Sequence, residues 1–290
     1  MSNPVISGKT KLCGLIGDPV EHSMSPAMHN AAFKEMGLDY LYVPFRVKKE
    51  DLSKAIAGMR ALGIRGLNVT IPHKVSVIKF LDELDRLAEK ISAVNTIVNN
   101  DGILKGYNTD ASGFLQPLLE KSIEPRGKRV VVLGAGGASR AISFVLAEKG
   151  AHLSILNRRA AGAKELARRI SKDVEALELN PENLTIVLKK ADILVNATSV
   201  GMSPNVNETP VEAELLRRGL LVYDIVYNPI KTRLIKEAES AGAITIGGLD
   251  MLVWQGALAF EKWTGQTASL ALMIRPFRSS PRPVGRDKDK

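Results

Sequence analysis

The stretch Val130-Val131-Val132-Leu133-Gly134-Ala135-Gly136-Gly137-Ala138-Ser139-Arg140-Ala141 decides the fold of this chain of 290 residues. An apolar run of strand length is followed by a glycine-rich turn, and a helical segment begins near Gly137. A tight turn needs Gly134, and a pyrophosphate can approach the backbone at Gly136 because no side chain stands there. Free amides at the helix start would point at the phosphates. The stretch therefore predicts a dinucleotide site, with a plain tight turn as the alternative, and its candidate residues are Gly134, Ala135, Gly136, Gly137 and Ala138.

The next predicted strand indicates which dinucleotide binds, because the end of that strand faces the adenosine ribose. An acidic residue there would accept a hydrogen bond from a free 2'-hydroxyl, but this strand ends in Asn157-Arg158-Arg159. An arginine fork suits a 2'-phosphate through paired, charge-assisted hydrogen bonds. The sequence therefore predicts NADP as the cofactor, and the alternative is that the two arginines are simply solvated at a helix start.

The rest of the chain alternates apolar runs with amphipathic helical segments, which is typical of parallel sheets covered by helices. We expect strands at 12–16, 40–47, 66–70 and 95–99 and, after a break at 113–128, at 130–133, 152–156, 193–196, 221–226 and 243–246. The fold class is therefore α/β, with two open parallel-sheet domains, the second a Rossmann-type doubly wound dinucleotide-binding domain. We expect this domain at 111–249, a substrate domain at 1–110 and 250–278, and a disordered tail at 279–290.

Charge and composition exclude several classes of protein. The net charge of +9 suits a small anionic ligand as well as a nucleic acid, but only 5% of residues are aromatic and no basic run is interleaved with them, so we expect no nucleic-acid partner. No apolar stretch approaches the roughly 20 residues that span a bilayer, and no signal peptide is visible, so we expect a cytoplasmic protein without a membrane partner. The single cysteine, Cys13, and four histidines without a helical i, i+4 pair indicate no disulfide and no metal.

Four clusters of small polar residues stand at predicted strand ends in the first third of the chain, at 23–25, 68–74, 93–96 and 106–110. Such groups at the carboxyl ends of parallel strands suit a polyhydroxylated ligand. Ser25 before Pro26 predicts the N-cap of a helix that Gly37 closes, and the amides of that helix start suit a carboxylate. Cap and turn chemistry is the alternative for each of these residues taken alone.

From residue 14 to about residue 274, the chain resembles the shikimate dehydrogenases, within the shikimate/quinate dehydrogenase family. The matching strings of the first part are Gly17-Asp18-Pro19, His22-Ser23-Met24-Ser25-Pro26, Asn68-Val69-Thr70-Ile71-Pro72-His73-Lys74, Asn95-Thr96 and Asn108-Thr109-Asp110. Those of the second part are Gly134-Ala135-Gly136-Gly137-Ala138, Asn157-Arg158, Asn196-Ala197-Thr198, Asp224-Ile225-Val226-Tyr227-Asn228-Pro229 and Met251-Leu252-Val253-Trp254-Gln255-Gly256. The resemblance implies reversible NADP-dependent reduction of 3-dehydroshikimate to shikimate, a step of aromatic amino-acid precursor synthesis.

The resemblance also implies roles for individual residues. Lys74 matches the catalytic lysine, and we expect Asp110 to assist it. The substrate contacts are expected at Ser23 and Ser25 for the carboxylate, at Asn68, Thr70, Asn95, Asp110 and Gln255 for the ring hydroxyls, and at Tyr227 beside the substrate. The cofactor contacts beyond the glycine turn are expected at Asn157, Arg158, Arg159, Thr198, Ile225 and Gly248. Two departures are visible: Asp250 stands where many members have glycine, and Arg159 where a threonine is frequent.

The chemistry explains why a lysine is needed. Reduction of a ketone takes a hydride on carbon and a proton on oxygen, and a dihydronicotinamide supplies only the hydride. Lys74 can donate the proton, and Asp110 can hold the lysine and accept a hydrogen bond from a substrate hydroxyl. A solvated lysine at a helix start is the alternative for Lys74.

Two other functions stay open. An NAD-using quinate/shikimate dehydrogenase is disfavoured by Arg158 and by Ser25, where quinate-type enzymes often have threonine. A non-catalytic NADP-binding regulatory or nucleic-acid-associated protein is disfavoured by Lys74 and Asp110. The expected partner is a small-molecule substrate, and the sequence leaves a homodimer open.

Overall fold

The computed structural model describes residues 6–278 and arranges their strands in two six-stranded sheets. The first sheet contains β1 (Lys11–Gly17), β2 (Tyr40–Arg46), β3 (Gly66–Val69), β4 (Glu83–Leu84), β5 (Thr96–Asn100) and β6 (Ile103–Tyr107), in the order β2-β1-β3-β5-β6-β4. The second contains β7 (Arg129–Leu133), β8 (His152–Asn157), β9 (Glu175–Glu178), β10 (Ile193–Asn196), β11 (Leu221–Asp224) and β12 (Ile244–Ile246), in the order β12-β11-β10-β7-β8-β9.

Ten α-helices cover these sheets in the described part of the chain. They are α1 (Ser25–Glu35), α2 (Leu52–Ala61), α3 (Arg86–Ile91), α4 (Asp110–Glu120), α5 (Gly137–Glu148), α6 (Ala160–Ile170), α7 (Pro181–Leu188), α8 (Arg233–Ser240), α9 (Gly248–Thr264) and α10 (Leu270–Arg278). Short 3-10 helices cover Lys49–Asp51, Ser76–Phe80 and Ala213–Leu215. No helix between residues 6 and 278 is long and apolar enough to cross a membrane.

The second sheet is parallel throughout, and its strand order reverses between β7 and β10. Open α/β sheets bind ligands at the carboxyl ends of the strands beside such a reversal. The glycine turn follows β7 at this edge, so the predicted α/β class and doubly wound sheet are confirmed. Strand β9 was not predicted. Strand β11 ends at Asp224, two residues before the predicted end, because the Asp224 side chain accepts a hydrogen bond from the Val226 amide and turns the chain.

The first sheet is not parallel throughout. β1 is parallel to β2 and β3, whereas β5 is antiparallel to both β3 and β6. Strand β6 was not predicted. It follows β5 through a turn in which Asp101 and Gly102 have φ values of 51° and 93°, the left-handed conformations that a tight hairpin requires. An Asp-Gly pair between two apolar runs was the available signal for this hairpin.

Helices α9 and α10 pack against the first sheet although they follow the second in sequence. Phe260, Trp263 and Met273 share a buried cluster with Phe33 and Tyr42, beside α1 and β2. Helix α9 also packs tightly along α4, since a Cβ atom on Gly113 would lie 2.7 Å from Cβ of Gln255. This packing brings α9 back to the first sheet, as the need for Gln255 at the substrate suggests. The predicted tail at 279–290 lies outside the described residues.

The start of α1 differs from the expectation in one respect. Met24 already has helical backbone angles, φ −87° and ψ −9°, so Ser25 is the first residue of the helix and its hydroxyl does not cap it. Gly37 does end the segment, with φ at 64°. The Ser25 side chain is thereby free to point into the first sheet.

Candidate active site

Lys74 and Asp110 form a close ion pair. Lys74 lies on the loop after β3, Asp110 begins α4, and the Lys74 Nζ atom is 2.5 Å from Asp110 Oδ2. The two side chains are only 14% and 5% exposed. The first turn of a helix is a favourable position for a carboxylate, so the place of Asp110 at the start of α4 suits its charge. Sparse solvent strengthens the attraction and keeps the ammonium in a defined position.

Asn95 fixes the other oxygen of Asp110. Its Nδ2 atom donates to Asp110 Oδ1 and to Thr109 Oγ1, both at 2.8 Å, while its Oδ1 atom accepts from the Thr109 amide at 2.7 Å. The same Nδ2 atom lies 3.4 Å from Oε1 of Gln255. Three predicted substrate residues, from the loop before β5, from α4 and from α9, therefore meet at one point.

Asn68 joins this group from β3. Its Nδ2 atom donates to the Asn95 carbonyl and to Thr96 Oγ1, both at 3.2 Å, and its Oδ1 atom accepts from the Tyr42 hydroxyl at 2.7 Å. Thr70 lies on the loop between Asn68 and Lys74, where its methyl group packs on Gly17. Its hydroxyl has no protein hydrogen bond among the described residues and can serve a ligand.

Ser23 and Ser25 each face a tyrosine. The Ser23 hydroxyl lies near Tyr227, which follows β11 of the second sheet, and the Ser25 hydroxyl lies near Tyr42 of β2. Burial raises the pKa of Tyr227 while the nearby Ser23 hydroxyl lowers it, and the net shift is upward, so Tyr227 is a neutral phenol. The two serines thus border a site to which both sheets contribute.

The glycine turn has the geometry that a pyrophosphate needs. Gly134 has φ at 106°, and a Cβ atom there would lie 2.9 Å from the Ala197 carbonyl oxygen, so only glycine fits. A Cβ atom on Gly136 would meet no protein atom within 4 Å, which leaves the backbone open to a ligand. Gly136 is the N-cap of α5 and provides no side-chain cap, so the first amides of α5 are available to phosphate. Ser139, in place of the usual Gly or Ala, is fully buried and donates to the Gly134 carbonyl at 2.6 Å.

The predicted 2'-phosphate residues lie together. Asn157, Arg158 and Arg159 line a surface pocket of about 330 Å³. Asn157 Nδ2 donates to the Arg159 carbonyl at 3.0 Å, which shapes the turn into α6. Both guanidinium groups are exposed, and within the described residues neither pairs with a carboxylate. The pocket therefore offers two unneutralised positive charges, a good fit to a phosphate dianion.

Thr198, Ile225 and Gly248 lie at the same edge of the second sheet. Thr198 Oγ1 donates to Asn196 Oδ1 at 2.7 Å, and its methyl carbon would be 3.2 Å from a Cβ atom on Gly134. A Cβ atom on Gly248 would overlap the Ile225 carbonyl group, so α9 begins directly against the loop after β11. The structure therefore gathers the predicted cofactor residues at the carboxyl ends of β7, β10 and β11, with the Asn157–Arg159 pocket at the end of β8.

The two halves of the candidate site touch at Gly137. A Cβ atom on Gly137 would lie 2.9 Å from Lys74 Cβ and 3.0 Å from Lys74 Cδ. The alkyl stem of the lysine therefore crosses the third glycine of the turn. This contact places the Lys74–Asp110 pair beside the glycine turn.

Sequence reasoning overlooked two buried residues of this region. Tyr42 was treated only as part of a strand, yet its hydroxyl reaches Asn68. Asp224 was noted only within a matching string, yet it is fully buried and accepts hydrogen bonds from Asn196 Nδ2 at 2.9 Å and Thr232 Oγ1 at 2.6 Å. Burial raises the pKa of Asp224 to about 6 against these hydrogen bonds, which lower it. A polar side chain of a predicted apolar strand was the available signal for both.

Asp250 lies in the first turn of α9 and is partly buried. Burial raises the pKa of its carboxyl, and the charged groups that act on it are Lys121 and Glu120 at the C-terminal end of α4, and Arg278 of α10. Cys13 is buried, and burial raises its thiol pKa well above the usual range, as an inert cysteine requires. Residues 6–278 contain no group of three His, Cys, Asp or Glu side chains that could hold a metal ion.

Three family models match the chain. The shikimate dehydrogenase substrate binding domain matches residues 15–97, shikimate / quinate 5-dehydrogenase matches residues 118–250, and the shikimate 5'-dehydrogenase C-terminal domain matches residues 248–275. Among similar proteins, shikimate dehydrogenase (NADP(+)) of Dehalococcoides mccartyi is 52% identical over 268 residues, which are 91% of this chain and 94% of that protein.

Solved structures agree with these sequence matches. Shikimate 5-dehydrogenase of Listeria monocytogenes in complex with shikimate and NAD is 41% identical with a TM-score of 0.85, covering 95% of this chain and 99% of that one. The Thermus thermophilus enzyme in complex with NADP(H) and shikimate is 38% identical with a TM-score of 0.83, covering 92% and 98%. The resemblance found in the sequence is confirmed, and the chain belongs to the shikimate dehydrogenase family.

Proposed function

We propose that this chain is an NADP-dependent shikimate dehydrogenase, an oxidoreductase that reversibly reduces 3-dehydroshikimate to shikimate in the biosynthesis of chorismate and aromatic amino acids. The observation that carries this function is the Lys74–Asp110 pair, closed at 2.5 Å, whose lysine stem packs on Gly137 of the glycine turn. A proton donor thus lies beside the expected path of a hydride. The NADP-dependent relatives at about half identity support the same reaction and cofactor.

The open backbone at Gly136 and the charged pocket at Arg158 fit NADP. The amides around the turn would hold the pyrophosphate, Asn157, Arg158 and Arg159 would hold the 2'-phosphate, and Thr198, Ile225 and Gly248 would border the nicotinamide side. When bound, NADPH supplies the hydride. Every other step falls to side chains of this chain.

Lys74 supplies the proton. In the direction of reduction its ammonium donates a proton to the substrate oxygen and stabilises the alkoxide as it develops. In the reverse direction, neutral Lys74 accepts the proton of the substrate hydroxyl. Asp110 keeps Nζ in place through one oxygen and can accept a hydrogen bond from a neighbouring ring hydroxyl. The low exposure of both side chains makes this charge arrangement more effective than it would be in water.

The substrate is oriented by the polar groups around this pair. We assign its carboxylate to Ser23 and Ser25, with Tyr227 beside it. The ring hydroxyls are assigned to Asn68, Thr70, Asn95, Asp110 and Gln255. The hydrogen bonds among Asn68, Asn95 and Asp110 support this assignment, because they preorganise the amides before the substrate arrives.

Substitution of the acid–base pair tests the mechanism. Lys74→Ala and Asp110→Ala should each lower kcat by roughly 10²- to 10⁴-fold, the usual contribution of general acid–base catalysis, with a much smaller change in substrate affinity. Lys79→Ala, an exposed lysine five residues along the chain, is the matched control and should keep wild-type kinetics. An effect confined to KM would contradict the assigned roles.

Substrate and cofactor choice is tested by following the absorbance of reduced nicotinamide with shikimate or quinate and with NADP or NAD, in all four combinations. We expect shikimate with NADP to be preferred, and Arg158→Ala should weaken NADP use selectively. Equal catalytic efficiency with NAD and NADP would contradict the proposed role of Arg158 in binding the 2'-phosphate. A preference for quinate with NAD would favour an NAD-using quinate/shikimate dehydrogenase. NADP binding without turnover of either acid would favour a regulatory protein.

The same proposal covers the cellular setting and the domain division. We propose a cytoplasmic enzyme with no nucleic-acid or membrane partner. Light scattering would measure its mass in solution and so distinguish a monomer from a homodimer. We also keep the division into a substrate part, 1–110 with 250–278, and a cofactor part, 111–249. The packing of Phe260 and Trp263 of α9 on the first sheet supports this division.

A further inference from the structure

Tyr42 stands behind the candidate substrate residues without belonging to any matched string. It lies in the middle of β2, it is 2% exposed, and its hydroxyl donates to Asn68 Oδ1 at 2.7 Å. The Ser25 hydroxyl lies near the same phenol oxygen. The buried Tyr42 hydroxyl therefore lies beside two side chains assigned to the substrate, from two different elements.

Helix α1 holds Tyr42 at both its ring and its backbone. The His29 ring stacks on the Tyr42 ring with centroids 4.5 Å apart and 20° between the planes. Asn30 clamps the backbone, because its Oδ1 atom accepts from the Tyr42 amide at 2.8 Å and its Nδ2 atom donates to the Tyr42 carbonyl at 2.9 Å. Since Ser25 begins the same helix, α1 sets the distance between Ser25 and the Tyr42 hydroxyl.

His29 itself makes no polar contact that would explain its burial. It is fully buried, and neither ring nitrogen has a hydrogen-bond partner among the described residues. Trp263 packs near both rings, 5.2 Å from His29 and 5.9 Å from Tyr42 between centroids. The contacts of His29 are aromatic, and they restrict the tilt of the Tyr42 ring.

The Tyr42 proton determines how the Asn68 amide is oriented. A phenol has one proton, and burial keeps Tyr42 neutral by raising its pKa, so the hydroxyl remains a donor. Because that proton points at Asn68 Oδ1, the Asn68 nitrogen must face Asn95 and Thr96. Without the hydroxyl, a buried carbonyl oxygen would lose its partner and the amide could rotate.

We propose that Tyr42 is a positioning residue for substrate binding, which acts by holding the side-chain amide of Asn68 in the orientation that the substrate ring hydroxyls meet. This inference rests on the proposed function, because it assumes that Asn68 contacts the substrate. The hydroxyl of Tyr42 is hydrogen-bonded to Asn68, so the proposed effect on the substrate passes through that amide. Its effect therefore belongs to shikimate affinity and not to proton transfer at Lys74.

Removal of one oxygen atom tests the proposal. Tyr42→Phe keeps the ring, its stacking on His29 and the backbone clamp. The variant should raise the KM for shikimate about tenfold, as expected when one buried hydrogen bond is left unmade, with kcat and the KM for NADP within about twofold of wild type. Tyr40→Phe is the matched control on the same strand, because the Tyr40 hydroxyl donates to the Trp263 carbonyl outside the site, and it should keep wild-type constants.

A double-mutant cycle identifies the route of the effect. If Tyr42 acts through Asn68, Tyr42→Phe should change the KM for shikimate by less than about twofold when Asn68→Ala is already present. An unchanged KM in Tyr42→Phe, an equal rise in the KM for NADP, or the same fold-change in both backgrounds would overturn the proposal. Wild-type protein that does not turn over shikimate would overturn the proposed function as well, whereas an active wild type with an unaffected Tyr42→Phe variant would remove only this inference.

Discussion

His29 should make this protein sensitive to mild acid. Its imidazole is fully buried among aromatic rings, and burial lowers its pKa from 6.5 to about 3. The folded protein therefore keeps His29 neutral across the mildly acidic range, whereas the unfolded chain takes up a proton below about pH 6.5. Because the unfolded state binds more protons, the free energy of unfolding falls as the pH falls from 6.5 towards 3.

The magnitude follows from the two pKa values. Each pH unit below 6.5 costs about 1.4 kcal/mol while the folded state stays unprotonated, so the loss between about pH 7.5 and pH 5 is about 2 kcal/mol from His29 alone. At a urea dependence of roughly 1–3 kcal/mol per molar, the unfolding midpoint should move by about 1 M.

Urea unfolding of wild-type and His29→Phe protein at the two pH values measures this loss. Tryptophan fluorescence is the suitable signal, because Trp263 lies against His29 and both tryptophans belong to α9. His29→Phe keeps an aromatic ring, and any constant change in packing cancels when each protein is compared with itself. On acidification from about pH 7.5 to pH 5, the free energy of unfolding of the variant should fall by about 2 kcal/mol less than that of the wild type.

Other titrating groups are common to both proteins and drop out of the difference. His152→Phe is the matched control, since it removes an exposed histidine at the start of β8. It should keep the wild-type dependence on pH. Identical acid sensitivity in wild-type and His29→Phe protein would refute the reasoning, because it would mean that His29 is protonated or hydrated in the folded state.

Two further predictions concern the contact between the sheets and the buried carboxylate of the second sheet. Gly137→Ala should displace the Lys74 side chain, whose Cβ atom would lie 2.9 Å from the added methyl group, and should lower kcat at least about tenfold. Gly136→Ala adds a methyl group that meets no protein atom within 4 Å, so it should mainly raise the KM for NADP. Steady-state kinetics of the two variants tests both expectations. Burial raises the pKa of Asp224 to about 6 from 3.8, so the contribution of Asp224 to stability is fully present below pH 3.8 and is lost as the pH rises through 6. Between about pH 4 and pH 7 this contribution falls by about 2 kcal/mol, and the free energy of unfolding of Asp224→Asn, measured with denaturant and circular dichroism, should not show that fall.

The second sheet was largely predictable because its signals are local. A buried run at 130–133, the glycines that follow and the helix start lie within a dozen neighbouring residues, and each has a conformational requirement of its own. The first sheet was predicted less completely. Apolar runs indicate where strands occur but not their direction, so the antiparallel placement of β5 and the extra strand β6 depend on a hairpin at Asp101 and Gly102. Short, partly exposed strands such as β9 carry little apolar signal.

The sequence by itself determined the α/β class, the glycine turn, the arginines at the end of β8 and the family, because each depends on residue type at short spacing. Only the tertiary structure decided how these parts meet. Lys74 and Gly137 are 63 positions apart, on the loop after β3 and at the start of α5, and their contact depends on the packing of elements that are far apart in sequence. Tyr42 and Asp224 likewise gain their roles from partners on other elements, because a hydrogen bond in a buried site depends on distances that spacing along the chain does not contain.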